Sequence, residues 1–149
     1  MTHIRHHGQS VLQNQQLIQR LARNPGALWL GEHHNSPKDH ALQEQLVRQL
    51  YQKRRPLAIG LEQVQIQFQS VLDDYTANKI TTQDLQRLTE WETRWQWPFA
   101  VYQSLFETAR ELHIPLVALN VNSEDLLLVE EGGLPNLPPT KLSQYIGDP

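Results

Sequence analysis

The stretch ALWLGEHHNSPKDH, residues 27–40, decides how this chain is read. Ala27 to Leu30 form a short apolar run, and the pattern predicts a buried strand there. Gly31 and Glu32 close the run, and His33 and His34 follow. Ser36, Pro37 and Asp39 then spell a helix start: an N-cap hydroxyl, a proline at the first helical position and an acid where a capping-box partner belongs. A strand that feeds a helix through such a turn would gather Glu32, His33, His34 and His40 at the carboxyl end of a sheet, where open α/β folds bind ligands.

Upstream, Leu17, Ile18 and Leu21 keep helical spacing within Val11 to Ala22, and Asn24, Pro25 and Gly26 stop that helix. Downstream, Leu42, Leu46 and Leu50 recur every four residues with Val47 beside them, which predicts a helix laying one leucine stripe on the sheet and ending before Pro56. Leu57 to Leu61 is a second apolar run, interrupted by Gly60, and it delivers Glu62 at its end. Val64, Ile66 and Phe68 alternate with glutamines like a half-exposed strand, whereas Phe68, Val71, Leu72 and Tyr75 follow helical spacing. A helix from about Ile66 is the reading, because Gln63 supplies no hairpin turn. Thr81 and Asp84 form a capping-box pair ahead of a helix carrying Leu85, Leu88, Trp91 and Trp95. Pro98 starts another with Phe99, Tyr102, Phe106 and Ala109. Leu116 to Leu119 reads as a third strand ending in Asn120, and Ser123 caps a short helix that Gly132 and Gly133 end.

This order predicts an α/β fold with a parallel sheet of at least three strands flanked by helices. Three strands are few for a sheet covered on both faces, so the chain reads as the N-terminal, incomplete part of a larger domain. Residues 1–26 read as a tail and leading helix, 27–133 as the α/β domain, and 134–149, rich in proline, as an irregular tail.

Composition narrows the function classes. The 149 residues are 39% hydrophobic and 19% charged with a net charge of −3, a globular balance that offers no phosphate-tracking surface, so no nucleic-acid partner is expected. Cysteine is absent, which removes disulfides, thiolate metal sites, a cysteine nucleophile and a lipidated N-terminal cysteine. The start, MTHIRHHGQS, lacks the apolar segment of a secretory signal, and no apolar run is long enough to cross a bilayer. The chain as given is expected to be soluble, with its compartment open. His3, His6 and His7 read as a solvated terminus.

Glu32 with His34, Glu62 and Asn120 stand at the predicted ends of three strands. Parallel neighbours would bring them to one sheet edge, with His40 one helical turn into the next helix. Glu32, His34 and Glu62 are then candidates for acid–base catalysis, and His34, His40 and Glu62 for holding a divalent metal. His33 and His113 read as structural, Lys53 to Arg55 as a helix C-terminal complement, and Trp91, Trp95, Trp97, Phe99 and Tyr102 as core. Neither a P-loop, a nucleophile elbow nor a Rossmann glycine fingerprint occurs.

Four blocks in order, LGEHHNSPKDHALQ, AIGLEQVQIQFQSVLDDY, WETRWQWPFAVY and PLVALN, together resemble the ChaN-type haem-binding lipoprotein family, allied to the Tiki and TraB proteins. The resemblance runs from about Ala27 to Asn120. Its Gly-Glu-x-His element falls on Gly31, Glu32 and His34, its later histidine and glutamine on His40 and Gln43, and its Gly-x-Glu element on Gly60 and Glu62. The resemblance implies an α/β domain, a part in bacterial haem or iron acquisition, and haem held in a pocket completed by dimerisation. It also implies iron ligation by a tyrosine, with Tyr75, Tyr102 and Tyr145 as the alternatives. Glu32, His34, His40, Glu62, Asn120 and Tyr102 make up the cofactor-binding set. Two departures stand out: no lipidation cysteine is present, so membrane anchoring does not carry over, and the chain stops soon after the third strand. The expected function is haem binding without established catalysis. The alternatives are a metal-dependent hydrolase built on the same Glu and His positions, and a plain interaction module.

Overall fold

A computed structural model of the chain describes residues 15–23, 26–53 and 56–146. In order it contains α1 (Gln15–Arg23), α2 (Pro37–Lys53), β1 (Ile59–Gln65), α3 (Gln69–Thr76), α4 (Thr82–Leu88), α5 (Trp91–Arg94), α6 (Gln103–Glu111), β2 (Leu116–Asn120), α7 (Ser123–Gly132) and α8 (Pro139–Ile146). Short 3-10 turns occupy Ile66–Phe68, Phe99–Val101 and Leu134–Asn136. Two units divide the chain: Met1–Leu57 with Ala100–Thr108, and Ala58–Phe99 with Ala109–Pro149. His3, His6, His7, Val11, Asn24, Pro25, Arg54 and Arg55, and what was expected of them, lie outside the described residues.

In the first unit, Ile18 of α1 is buried against Leu46 and Leu50 of α2, and Leu21, Ala22 and Leu57 pack around them. Pro37 opens α2, and Ser36 Oγ accepts the Asp39 N–H at 3.3 Å. Asp39 does not complete a capping box, because its carboxylate accepts the His33 N–H at 2.9 Å and so ties down the turn before the helix. The buried stripe of α2 is His40, Gln43, Leu46, Val47 and Leu50. Leu42, expected on that stripe, is exposed, because the inward face runs through the 43 and 47 positions and leaves 42 at its margin. Farther along, Thr108 donates to Glu44 Oε1 (2.9 Å) and accepts from Arg48 Nη2 (2.7 Å), joining α6 to α2.

The strand predicted at Ala27 to Leu30 is absent. That segment is irregular and exposed, with Leu28, Trp29 and Leu30 at 38%, 86% and 39% of full exposure. An apolar run becomes a strand only where a neighbour completes its backbone ladder, and among the described residues it has no ladder partner. The expected sheet of at least three strands is therefore a two-stranded parallel sheet among those residues.

In the second unit, β1 and β2 pair in the register Ile59 with Leu116, Gly60 with Val117 and Leu61 with Ala118, and resume at Gln65 with Asn120. Four steps along β1 thus match two along β2. The irregularity breaks the in–out alternation, which is why consecutive Val64 and Gln65 are both buried. β1 runs four residues past the predicted end, so Glu62 is mid-strand and exposed rather than terminal. Gln69 of α3 closes part of the far edge of β2: its Nε2 donates to Leu116 O at 2.9 Å and its Oε1 accepts the Ala118 N–H at 2.8 Å.

The Thr81–Asp84 capping box forms as predicted. The helix predicted to continue through Trp91 and Trp95 instead breaks at Glu90, whose φ is 51°, after Thr89 turns its hydroxyl back to the Leu85 carbonyl at 2.8 Å. Trp91 is core, edge-on to Phe99 with ring centroids 4.9 Å apart. Gly133 ends α7 at φ 75° and ψ −177°, a conformation essentially reserved for glycine. The segment read as an irregular tail forms α8, because Pro139 suits a first helical position and Lys141 and Tyr145, one turn apart, both bind the buried Asp125. No described helix is long and apolar enough to cross a membrane.

Candidate functional site

A single carboxylate organises the site. Glu32 leaves the exposed apolar run and turns inward, its side chain only 6% exposed. Oε1 accepts the Tyr102 hydroxyl at 2.9 Å and lies 3.0 Å from His34 Nδ1. Oε2 accepts Gln43 Nε2 at 2.8 Å and lies 3.5 Å from His40 Nδ1. Burial by itself would raise the Glu32 pKa, but the hydrogen bonds from His34, Gln43 and Tyr102 and the neighbouring His40 outweigh it and hold the carboxyl below its ordinary range. The site therefore keeps a negative charge that these donors stabilise.

Three elements supply these donors. The start of α2 carries His40 and Gln43 one turn apart on its inner face, and both point back toward the preceding turn, as side chains near a helix N-terminus do. Gln43 Nε2 also reaches the Leu30 carbonyl at 3.4 Å, so one amide holds both the end of the apolar run and Glu32. Tyr102 comes from the turn before α6, is 1% exposed, and lays its ring against His40 at 4.3 Å and 56°. His40 Nε2 lies 3.1 Å from the His34 carbonyl, which can only accept, so that nitrogen carries a proton. His40 Nδ1 is buried with no hydrogen-bond partner among the described residues. His34 is the member of the cluster nearest solvent, at 34% exposure.

Of the residues singled out in the sequence, Glu32, His34, His40 and Tyr102 are brought together. His33 is not part of the cluster; its ring is solvent-exposed and pairs with Asp39 at 2.9 Å. Glu62 and Asn120 belong to the other unit, on β1 and β2, with Asn120 in register with Gln65. Among the described residues no group of three or more His, Asp or Glu side chains is set to hold a metal ion, which leaves the His34, His40 and Glu62 metal reading without support. Of the other two tyrosines, Tyr75 is fully buried beneath Arg110, and Tyr145 donates to Asp125 Oδ2 at 2.7 Å.

Sequence reasoning missed a polar network at the carboxyl end of the sheet. Gln65 Oε1 accepts from Gln67 Nε2 (3.0 Å), Arg94 Nη1 (3.0 Å) and the Ser123 N–H (3.2 Å). Arg94 also holds both carboxylate oxygens of Glu124, at 2.9 and 2.7 Å, and this pairing pulls the Glu124 carboxyl down to about 2. Gln65 sits in a glutamine-rich segment where no periodicity singles it out. Gln43 was legible only as part of a motif.

The fold and the cluster define the class: a mixed α/β protein with a small parallel sheet and a Glu–His–Tyr cluster between a chain turn and a helix start. The chain belongs to the family described as haem-binding uptake, Tiki superfamily, ChaN, whose family model matches residues 17–149. No curated protein and no solved structure matches it.

Proposed function

We propose that this chain binds haem, in haem or iron uptake or handling, at the surface formed by Leu28, Trp29 and Leu30 beside the Glu32 cluster. The observation that carries the reading is the exposure of that apolar run, with Trp29 86% exposed, directly before a buried set of nitrogen and oxygen donors. Exposed apolar surface next to convergent polar groups is the usual make-up of a small-molecule site, and a flat porphyrin face suits a tryptophan and two leucines.

The donor set fits the group. Haem, when bound, would supply an iron centre with affinity for imidazole nitrogen or phenol oxygen. Within the cluster, His34 and Tyr102 are the imidazole and phenol that one oxygen of Glu32 orients together. Gln43 fixes the run and the carboxylate relative to α2, and His40 backs the Tyr102 ring. A second copy of the chain covering the outer haem face would complete the pocket, as the resemblance implies.

Equimolar haem titration tests the proposal. A saturable Soret shift at one equivalent is expected, weakened by Trp29→Ala. A shift that never saturates, or haem that passes freely to albumin, would remove the proposal. Sedimentation with and without haem reads the copy number.

A further inference from the structure

In the unit formed by Ala58–Phe99 and Ala109–Pro149, a cavity of about 550 Å³ opens beside the turn that precedes α4 and against α6. Its size lies within the range of small-molecule pockets. Two cations, Lys79 and Arg110, line it, together with the polar side chains of Asn78, Thr82 and Gln83. Ile80 is the apolar member, and no acid lines it.

Arg110 differs from three other arginines of the chain. Arg48, Arg87 and Arg94 each hold a carboxylate, at 2.9, 3.1 and 2.7 Å. Among the described residues Arg110 has no carboxylate within ion-pair distance, and its guanidinium N–H groups make no hydrogen bond. Glu107, one turn back on α6, is instead bound to Gln103 at 2.7 Å. The guanidinium is nevertheless placed: its central carbon lies 4.6 Å from the ring centroid of Tyr75. That ring is fully buried, and its hydroxyl lies 3.2 Å from Thr82 Oγ1. The cation therefore rests on the face of a buried ring, with its planar fork of donors unspent among the described residues.

A fixed guanidinium in a polar cavity with a second cation nearby suits a doubly charged, multi-oxygen acceptor better than a monocarboxylate. We propose that this cavity binds the phosphate group of a small phosphate monoester, with Arg110 as the anchoring residue. Lys79, already paired with Asp74 at 2.8 Å, contributes a weaker, long-range attraction. Asn78, Thr82 and Gln83 would face the ester's polar body. This site is separate from the Glu32 cluster, and its test needs no haem.

The full chain, labelled with nitrogen-15, is titrated with glycerol phosphate, inorganic phosphate and acetate at constant ionic strength while the Arg110 side-chain signal and the amides of residues 78–83 are followed. Saturable shifts confined to those signals are expected, strongest for glycerol phosphate and absent for acetate. Arg110→Gln should weaken binding about tenfold or more, the loss of one charged bidentate contact. Lys79→Gln should weaken it only a few-fold. Arg110→Lys keeps a cation over Tyr75 but loses the fork, so it should fold as wild type and still bind several-fold more weakly; it decides the matter if the glutamine variant does not fold. Equal affinity for glycerol phosphate and inorganic phosphate would make the free anion the occupant and overturn the monoester assignment. Shifts that do not saturate, or wild-type affinity in the Arg110 variants, would overturn the site itself.

Discussion

Tyr102 donates its hydroxyl to Glu32 Oε1 at 2.9 Å across a sequence separation of 70 residues. The bond ties the turn before α6 to the turn before α2, and it gives a buried carboxylate one of the donors that keep it charged. Tyr102→Phe retains the ring against His40 and removes that donor alone. A loss of about 1.5–3 kcal/mol in stability is expected, the usual worth of a hydrogen bond to a charged group. Urea unfolding at pH 7 measures it; an unchanged midpoint would show that water replaces the phenol at no cost.

The pH dependence of stability follows from the same carboxylate. Glu32 is more acidic in the folded chain than its ordinary 4.5, so its contribution is complete above that value and disappears as pH falls through the lower folded pKa. Glu124, brought to about 2 by Arg94, loses its contribution lower still. Unfolding free energy should therefore fall between about pH 5 and pH 2. Glu32→Gln should be less stable than wild type at pH 6 and should flatten the upper part of that fall.

Trp29→Ala separates binding from folding. The side chain is almost wholly exposed, so the change in stability should stay within about 0.5 kcal/mol. Haem affinity should drop, as read from the Soret titration. A large shift in the thermal midpoint would mean that Trp29 is covered in solution.

Gln69 satisfies a carbonyl and an N–H on the edge of β2. Gln69→Leu leaves both backbone groups without their partner, beside the buried Leu116 and Ala118, and should cost about 1–3 kcal/mol. Amide exchange at Ala118 should accelerate by more than the global loss of stability accounts for.

Two substitutions at left-handed backbone positions should have opposite signs. His113, exposed at φ 52° just after α6, occupies a place that glycine fills without strain, so His113→Gly should stabilise by up to about 1 kcal/mol. Gly133→Ala forces a side chain into a glycine-only region and should destabilise by about 1–3 kcal/mol. Thermal unfolding of the two variants under identical conditions checks both.

Local signals carried far in this chain. Pro37 opening α2, the Thr81–Asp84 capping box, the helical spacing beyond Ile66, the apolar run at β2 and the glycine that ends α7 all act within a few residues, and each was legible in the sequence. His34 and His40 were legible as neighbours of Glu32 for the same reason, since a turn and a helix start hold them close.

What the sequence left open was everything that depends on a distant partner. Ala27 to Leu30 has a strand's composition, yet a strand exists only where another backbone completes its ladder, and the run stands exposed beside the Glu32 cluster instead. Glu62 sits mid-strand because the pairing with β2 carries β1 past it to Gln65. Likewise it is packing, through contacts many residues apart, that brings Tyr102 to Glu32 and sets Arg110 on Tyr75 without an acid to neutralise it. Periodicity and capping report the energetics of adjacent residues, whereas burial and long-range hydrogen bonds are properties of the folded whole.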